Sequence, residues 1–282
     1  MGGAPESVRR YTLGCSFMIL LDQGGRDGTD VTLLPPPPGL ARLIEHAWVD
    51  RRSHATASDW RVVADASPHL IASVTTSGET RTMRVRLVGA RSHGATVDVT
   101  GRVLCVGLRL RPGALPAVID ASAREFVDRS LAIEDVFGAG VLADLELAPD
   151  AAAPLILHEL IRLMRRASGQ RTARKILPDS TSPAWTVADL ARWTGEAIRS
   201  LRERAHREIG LSPKRTLRVL RLHFAPYARR HGRSWAQVAY AAGYADQAHL
   251  TRELRALLGE TPSAWEARAS AVSFKTANRV ID

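Results

Sequence analysis

Gln247, His249, Thr251, Arg252 and Arg255 fall on one side of a short stretch whose other side is Leu250, Leu254, Leu257 and Leu258. The leucines follow the i, i+4, i+7, i+8 spacing of a helix packed on one face. The opposite face then carries amide, imidazole, hydroxyl and guanidinium groups, mostly hydrogen-bond donors. Such a helix suits a DNA major groove, where glutamine pairs well with adenine and arginine with guanine or phosphate. Two of these residues have a blander reading. Arg252 can pair with Glu203 or Glu253, and His249 can be a solvated helix residue.

The elements around this stretch are built to aim it. Ser234 caps a preceding helix, with Gln237 three residues on to close a capping box. Ala239 is small enough for a close helix crossing. Gly243 supplies the positive φ that ends the first helix, and Asp246 caps the next. The pattern from Ala239 through Gly243, Tyr244, Asp246, Gln247 and Leu250 to Arg252, followed by Gly259, Thr261 and Pro262, resembles the second helix-turn-helix of AraC/XylS-type transcription regulators. The resemblance implies DNA-contacting positions at Gln247, Ala248, His249 and Arg252.

An internal repeat extends it. Ala191 and Gly195 match Ala239 and Gly243 at an offset of 48, and Gly210, Ser212 and Pro213 match Gly259, Thr261 and Pro262 at 49. The extra residue falls in the second unit's turn. Ser212 and Thr261 read as N-caps with proline at N1. In the first unit a recognition helix is expected from Ala197 to about Arg207, and the resemblance puts DNA contacts on Arg199, Ser200, Arg202 and Glu203. This unit departs from the family pattern: Ala197 replaces a serine cap, Glu203 an arginine, and Ala205 a large core residue. Glu203 either accepts from a cytosine amino group or pairs with Arg199 or Arg207. The connecting segment from Pro213 to about Arg230 would span roughly 27 Å as one helix. Pro226 either kinks that helix or ends it at Ala225.

Charge agrees with this placement. The chain carries a net +10, and residues 185–270 hold 15 Lys/Arg against 8 Asp/Glu, so most of the excess lies in about a third of the length. Nearly all of it is arginine, suited to phosphate and guanine. Two cysteines, Cys15 and Cys105, make neither a disulfide framework nor a metal cluster, and suit a reducing cytoplasm. Tyr11–Leu21 is too short for a membrane span and lacks a cleavage pattern; it reads as an added strand or a start codon placed too early. No catalytic constellation, phosphate-cradling loop or paired-histidine metal motif is evident. Asp65, Ser67 and His69 read as turn and strand residues.

Short β-rich runs at 60–64, 69–76, 82–88, 95–99 and 102–110 suggest antiparallel strands, with Met83, Val85 and Leu87 alternating against Arg84 and Arg86. Helical patterns follow at 114–119, 122–127, 134–145 and 154–167. In the last, Leu157, Leu160, Ile161 and Met164 form a stripe that suits intramolecular core better than a dimer seam. Pro35–Pro38, Trp48 and Arg111–Ala114 resemble an uncharacterised N-terminal domain found in one branch of the same regulators.

The expected fold is therefore an α+β N-terminal domain, with antiparallel strands capable of barrel-like closure plus helices, followed by an all-α domain with two helix-turn-helix units. Residues 1–30 read as disordered, 31–167 as the sensing or dimerisation domain, 168–183 as linker, 184–270 as the DNA-binding domain and 271–282 as tail. The resemblance implies a cytoplasmic regulator and no enzyme, more often an activator. Its partners would be double-stranded DNA, an unknown small-molecule effector, RNA polymerase and a second copy, with no cofactor, metal or membrane. Two rivals stand: a degenerate member acting through protein contacts without specific DNA binding, and an enzyme built on the N-terminal domain.

Overall fold

The computed structural model describes residues 30–146, 152–169, 175–178, 184–230, 232–259, 261–264 and 273–276. Of the segment 1–30 expected to be disordered, residues 1–29, including Tyr11–Leu21, lie outside them, and Asp30 belongs to the first strand. Ahead of the proline run, Asp30–Leu34 forms β1. It pairs antiparallel with β2 (Ile44–Val62). Then come β3 (His69–Ser77), β4 (Thr80–Val88), β5 (Ala95–Leu110) and the short β6 (Ser130–Ala132). The sheet order is β6-β4-β3-β5-β2-β1-β7, where β7 is Ser273–Thr276. All pairings are antiparallel except β1 with β7. Part of the expected tail thus serves as an edge strand.

The strands beside Gly101 form one, not two. Gly101 adopts φ +89° opposite a register shift in β2 between His54 and Ser58, and a Cβ there would lie 2.5 Å from the Thr76 carbonyl oxygen. A bulge absorbs the turn residue and the ladder continues. Across the same pair, Gly107 faces Trp48, whose indole occupies the space of the missing side chain, 2.4 Å from an added Cβ. β4 alternates as expected, with Val85 and Leu87 buried and Arg84 and Arg86 exposed.

After the sheet come α1 (Leu115–Val118), a 3-10 turn (Ala123–Phe126), α2 (Ile133–Phe137), α3 (Ala143–Glu146) and α4 (Ala153–Ser168). The helix expected over 134–145 is broken into α2 and α3, because Gly138 and Gly140 take φ +92° and +71°. Leu157, Leu160, Ile161 and Met164 are all buried in the sheet's core, so α4 is a core helix. Within the expected linker, Ser168 closes α4 and Ile176 is fully buried.

The remaining helices are α5 (Val187–Thr194), α6 (Ile198–Glu208), α7 (Pro213–Arg230), α8 (Trp235–Ala241) and α9 (Gln247–Leu258). Of the two expectations for Pro226, helix termination at Ala225 is overturned: α7 continues to Arg230. The helical core takes in Val63, Ala64, Ala66 and Ala90 from the sheet domain. Among the described residues no helix is long and apolar enough to cross a membrane.

At this junction Asp65 and His69 do meet, with partners distant in sequence. Arg109 donates to Glu45 Oε2 at 2.7 Å, to Asp65 Oδ1 at 2.9 Å and also to Asp65 Oδ2; His69 Nε2 donates to Asp65 Oδ2 at 3.0 Å. Asp65 Oδ1 also accepts the Ser67 amide at 3.0 Å, whereas the Ser67 hydroxyl has no partner among the described residues. Burial would push the Asp65 carboxyl up, but the Arg109 charge and the His69 hydrogen bond hold it well below its usual range. Glu45, Asp65, His69 and Arg109 are all buried. They form a buried ion cluster.

Candidate nucleic-acid interface

Each helix-turn-helix unit is fixed by local chemistry. Thr186 and Asp189 close a capping box on α5, with Asp189 Oδ2 accepting the Thr186 amide at 2.8 Å. The Thr186 hydrogen bonds hold the Asp189 carboxyl below its ordinary value. Gly195 turns the chain at φ +70°. Ser234 and Gln237 form the corresponding box on α8, Gly243 turns at φ +73°, and Asp246 Oδ1 accepts the His249 amide at 2.6 Å to start α9. Ser212 accepts the Arg215 amide and Thr261 the Ala264 amide, as N-caps do.

The first recognition helix starts less securely. Ala197 has N-cap backbone geometry, φ −62° and ψ 146°, but no side chain to cap α6. Ala205 is buried against the helical core. Arg204, facing inwards, donates to Glu196 at 3.0 Å and to Glu208 at 3.4 Å, and so belongs to the packing of the unit.

Arg199, Ser200, Arg202 and Glu203 are all exposed on the outer face of α6. Glu203 sits 3.4 Å from Arg199 whereas Arg207 pairs with Glu208, so of the two i,i+4 partners it is Arg199 that lies beside Glu203. On α9, Gln247, Ala248 and Arg252 are exposed and His249 is half-buried. The His249 ring meets Tyr244 edge-on, with centroids 5.2 Å apart and planes at 78°. It is therefore positioned by an aromatic neighbour and is not freely solvated. Burial first, then Glu253, pushes the Tyr244 hydroxyl up to about 12.

Arg252 pairs with neither Glu203 nor Glu253. Glu253 is held by Arg218 of α7 through Nε at 2.7 Å and Nη2 at 3.0 Å. Arg221 of α7 packs over Tyr244, its guanidinium carbon 5.9 Å from the ring centroid, and donates to the Trp185 carbonyl at 3.0 Å. These contacts tie α9 and the start of α5 to the connecting helix, leaving Arg252 exposed without an ion pair among the described residues.

One residue escaped the sequence reading. Counting from the caps Ala197 and Asp246, the first helical residue is Ile198 in α6 and Gln247 in α9. Ile198 is 42% exposed, an apolar side chain at the leading end of a helix otherwise faced with charge. The extra residue in the second turn hid this equivalence, since glycine-to-glycine alignment shifts the helices by one.

Residues 190–268 match the family model described as a helix-turn-helix domain. Residues 32–132 match a domain of unknown function, DUF6597. No curated protein matches the chain. Among solved structures, ToxT from Vibrio cholerae is 9% identical over 79% of this chain and 97% of its own, with a TM-score of 0.40. A second ToxT structure, from strain O395 and bound to (E)-4-(8-methylnaphthalen-1-yl)but-3-enoic acid, is 11% identical over 78% of this chain and 97% of its own, at 0.41. A DNA-binding transcriptional dual regulator from Escherichia coli K-12 is 26% identical over 32% of this chain and 82% of its own, at 0.29. Residues 190–268 are a helix-turn-helix domain, and the two capped-and-turned units within it are similar to the paired units of AraC/XylS-type regulators.

Proposed function

We propose that this chain is a sequence-specific, double-stranded-DNA-binding transcriptional regulator. One observation carries the reading: two helix-turn-helix units, each presenting a recognition helix with an exposed polar outer face, are joined by an 18-residue helix. That helix is roughly 27 Å long, which suits successive major grooves on one DNA face. Gln247 and Arg252 are assigned to base edges or phosphates, with Ala248 and His249 beside them. Arg199, Ser200 and Arg202 are assigned to the first unit's contacts, and Glu203 to aligning Arg199. Ile198 offers an apolar contact to a thymine methyl.

On this reading residues 184–270 bind DNA, 168–183 link, and 31–167 sense an effector or dimerise. The outcome is activation, through contact with RNA polymerase, in the cytoplasm. The chain carries out no catalysis. A weaker first unit, with its uncapped α6 and its Arg199–Glu203 pair, favours the second unit as the principal reader.

The test is fluorescence anisotropy with the full chain on its own upstream DNA and on scrambled DNA, at two salt concentrations, with Arg252→Ala alongside. Preference for the native DNA by roughly a thousandfold or more supports the reading. Erosion of that ratio in Arg252→Ala supports the assigned role. Equal, weak binding with only a steep salt slope points to charge alone, and to a degenerate member acting through a protein partner.

A further inference from the structure

Among the described residues, the contacts of the sheet domain with the DNA-binding unit include one at each of α6, α7 and α9. Directly after α6, a Cβ on Gly210 would lie 2.4 Å from Val127 Cγ2 and 2.8 Å from the Ala123 carbonyl oxygen, so the end of this helix is seated on the 3-10 turn. The Ser122 hydroxyl reaches the Arg207 carbonyl beside it at 3.5 Å. At the end of α9, the Leu257 and Leu258 carbonyl oxygens lie 3.2 and 3.7 Å from where a Cβ on Gly94 would stand. Between them, His223 of α7 donates from Nε2 to the Ala64 carbonyl at 2.8 Å, next to the ion cluster at Asp65. A carbonyl only accepts, so the ring proton is on Nε2.

Val63, Ala64, Ala66 and Ala90 belong to the same apolar cluster as the helices. Interfaces within a chain permit domain motion unless they are large and hydrophobic. Here the core of the DNA-binding unit is continuous across the junction. The contacts also bracket a weak point. Pro226 removes a hydrogen bond inside α7; His223 is anchored on one side of it, and α9 is seated at Gly94 on the other.

We propose that the sheet domain is a brace: it fixes the mutual disposition of α6 and α9 across the Pro226 joint, so that both engage one DNA molecule at once. This rests on the DNA-binding reading above. Two linked reading units gain from each other only when geometry lets both engage together. Strength of DNA binding and strength of the domain junction are then coupled.

The test uses the full chain. Footprinting defines the two contacted segments of its upstream DNA, and binding is measured to the intact DNA, to versions with either segment scrambled, and to fully scrambled DNA. The variants are His223→Ala, His223→Gln, and Gly94→Val, which wedges the α9 contact without a positive-φ penalty. Wild type is expected to lose roughly a hundredfold when either segment is scrambled. Gly94→Val and His223→Ala should lose about tenfold on intact DNA yet stay within about twofold of wild type on one-segment DNA, with His223→Gln restoring binding. Uniform loss on all DNAs, no loss, or tighter binding overturns the brace. Failure of wild type to distinguish intact from fully scrambled DNA overturns the DNA-binding reading instead. Hydrogen exchange on wild type decides independently of variant folding. Residues 63–66, 89–94 and 122–127 should remain protected when intact DNA binds, and their opening would overturn the brace.

Discussion

Arg218 donates from both Nε and Nη2 to the carboxylate of Glu253, at 2.7 and 3.0 Å, and so fastens α9 to α7 while withdrawing Glu253 from Arg252. Paired, Glu253 is a structural anchor. Unpaired, it is an anion one residue from the arginine assigned to DNA. Arg218→Ala is expected to weaken DNA binding by about tenfold, or about 1.4 kcal/mol, with much of the loss recovered in Arg218→Ala/Glu253→Ala. Anisotropy titrations of the four proteins give the cycle; additive losses would show that Glu253 does not oppose Arg252.

Ile198 should read a methyl group. Replacing single thymines by deoxyuridine across the first unit's footprint is expected to weaken wild-type binding at one position by about 1 kcal/mol. Ile198→Ser should be indifferent to that replacement. A variant as sensitive as wild type would remove Ile198 from the contact.

The ion cluster should be costly to break. With Arg109→Met, Glu45 and Asp65 remain buried without their cation, and unfolding in urea is expected to register a loss of about 3–5 kcal/mol. Joint replacement of all three residues by apolar side chains should cost less. A small effect of the single change would show that solvent reaches the cluster.

Stability should fall on the acid side of neutrality. His46, His69 and His223 are driven below 6.5 chiefly by burial; Arg109 adds to this at all three, while Asp65 pulls each the other way. They are neutral when folded, so the unfolded chain binds more protons below pH 6.5 and unfolding becomes easier as pH drops towards the folded values. Above about pH 7 these residues contribute no slope. Asp65 behaves as a depressed acid, adding stability above 3.8 that is lost as pH falls through its folded value. Thermal midpoints should be level from about pH 7 to 8 and decline below about 6.5, less steeply in His223→Gln. An unchanged slope in that variant would remove His223 from the effect.

Sequence legibility followed the range of the interactions. Ser234 with Gln237, Asp246 with the α9 amides, Gly243 and the leucine stripe act within a few residues, and each was readable from spacing. The α4 stripe was readable for the same reason. Arg109, by contrast, meets Glu45 and Asp65, and His223 reaches Ala64 from another domain, so no local pattern announces the cluster. Gly101 and Gly138 illustrate the same limit. One glycine sits in a bulge that strand pairing tolerates, the other breaks a helix, and only the partner elements distinguish them. The exposure of Arg252 also depended on a distant choice, the capture of Glu253 by Arg218.

The sheet's register carries a consequence in time. Ile44 pairs with Leu110 and Val62 with Ala95, so the long β2–β5 ladder closes only after wide loops are drawn together, whereas α8 and α9 pack on each other and on α7, close by in sequence. Non-local pairing is the slow kind. During refolding the arginine-bearing helices should form first and hold DNA by charge alone. Sequence discrimination should rise later, in step with burial of Trp48, and stopped-flow mixing with matched and scrambled DNA would resolve the two stages. Selectivity is then the last property the chain acquires.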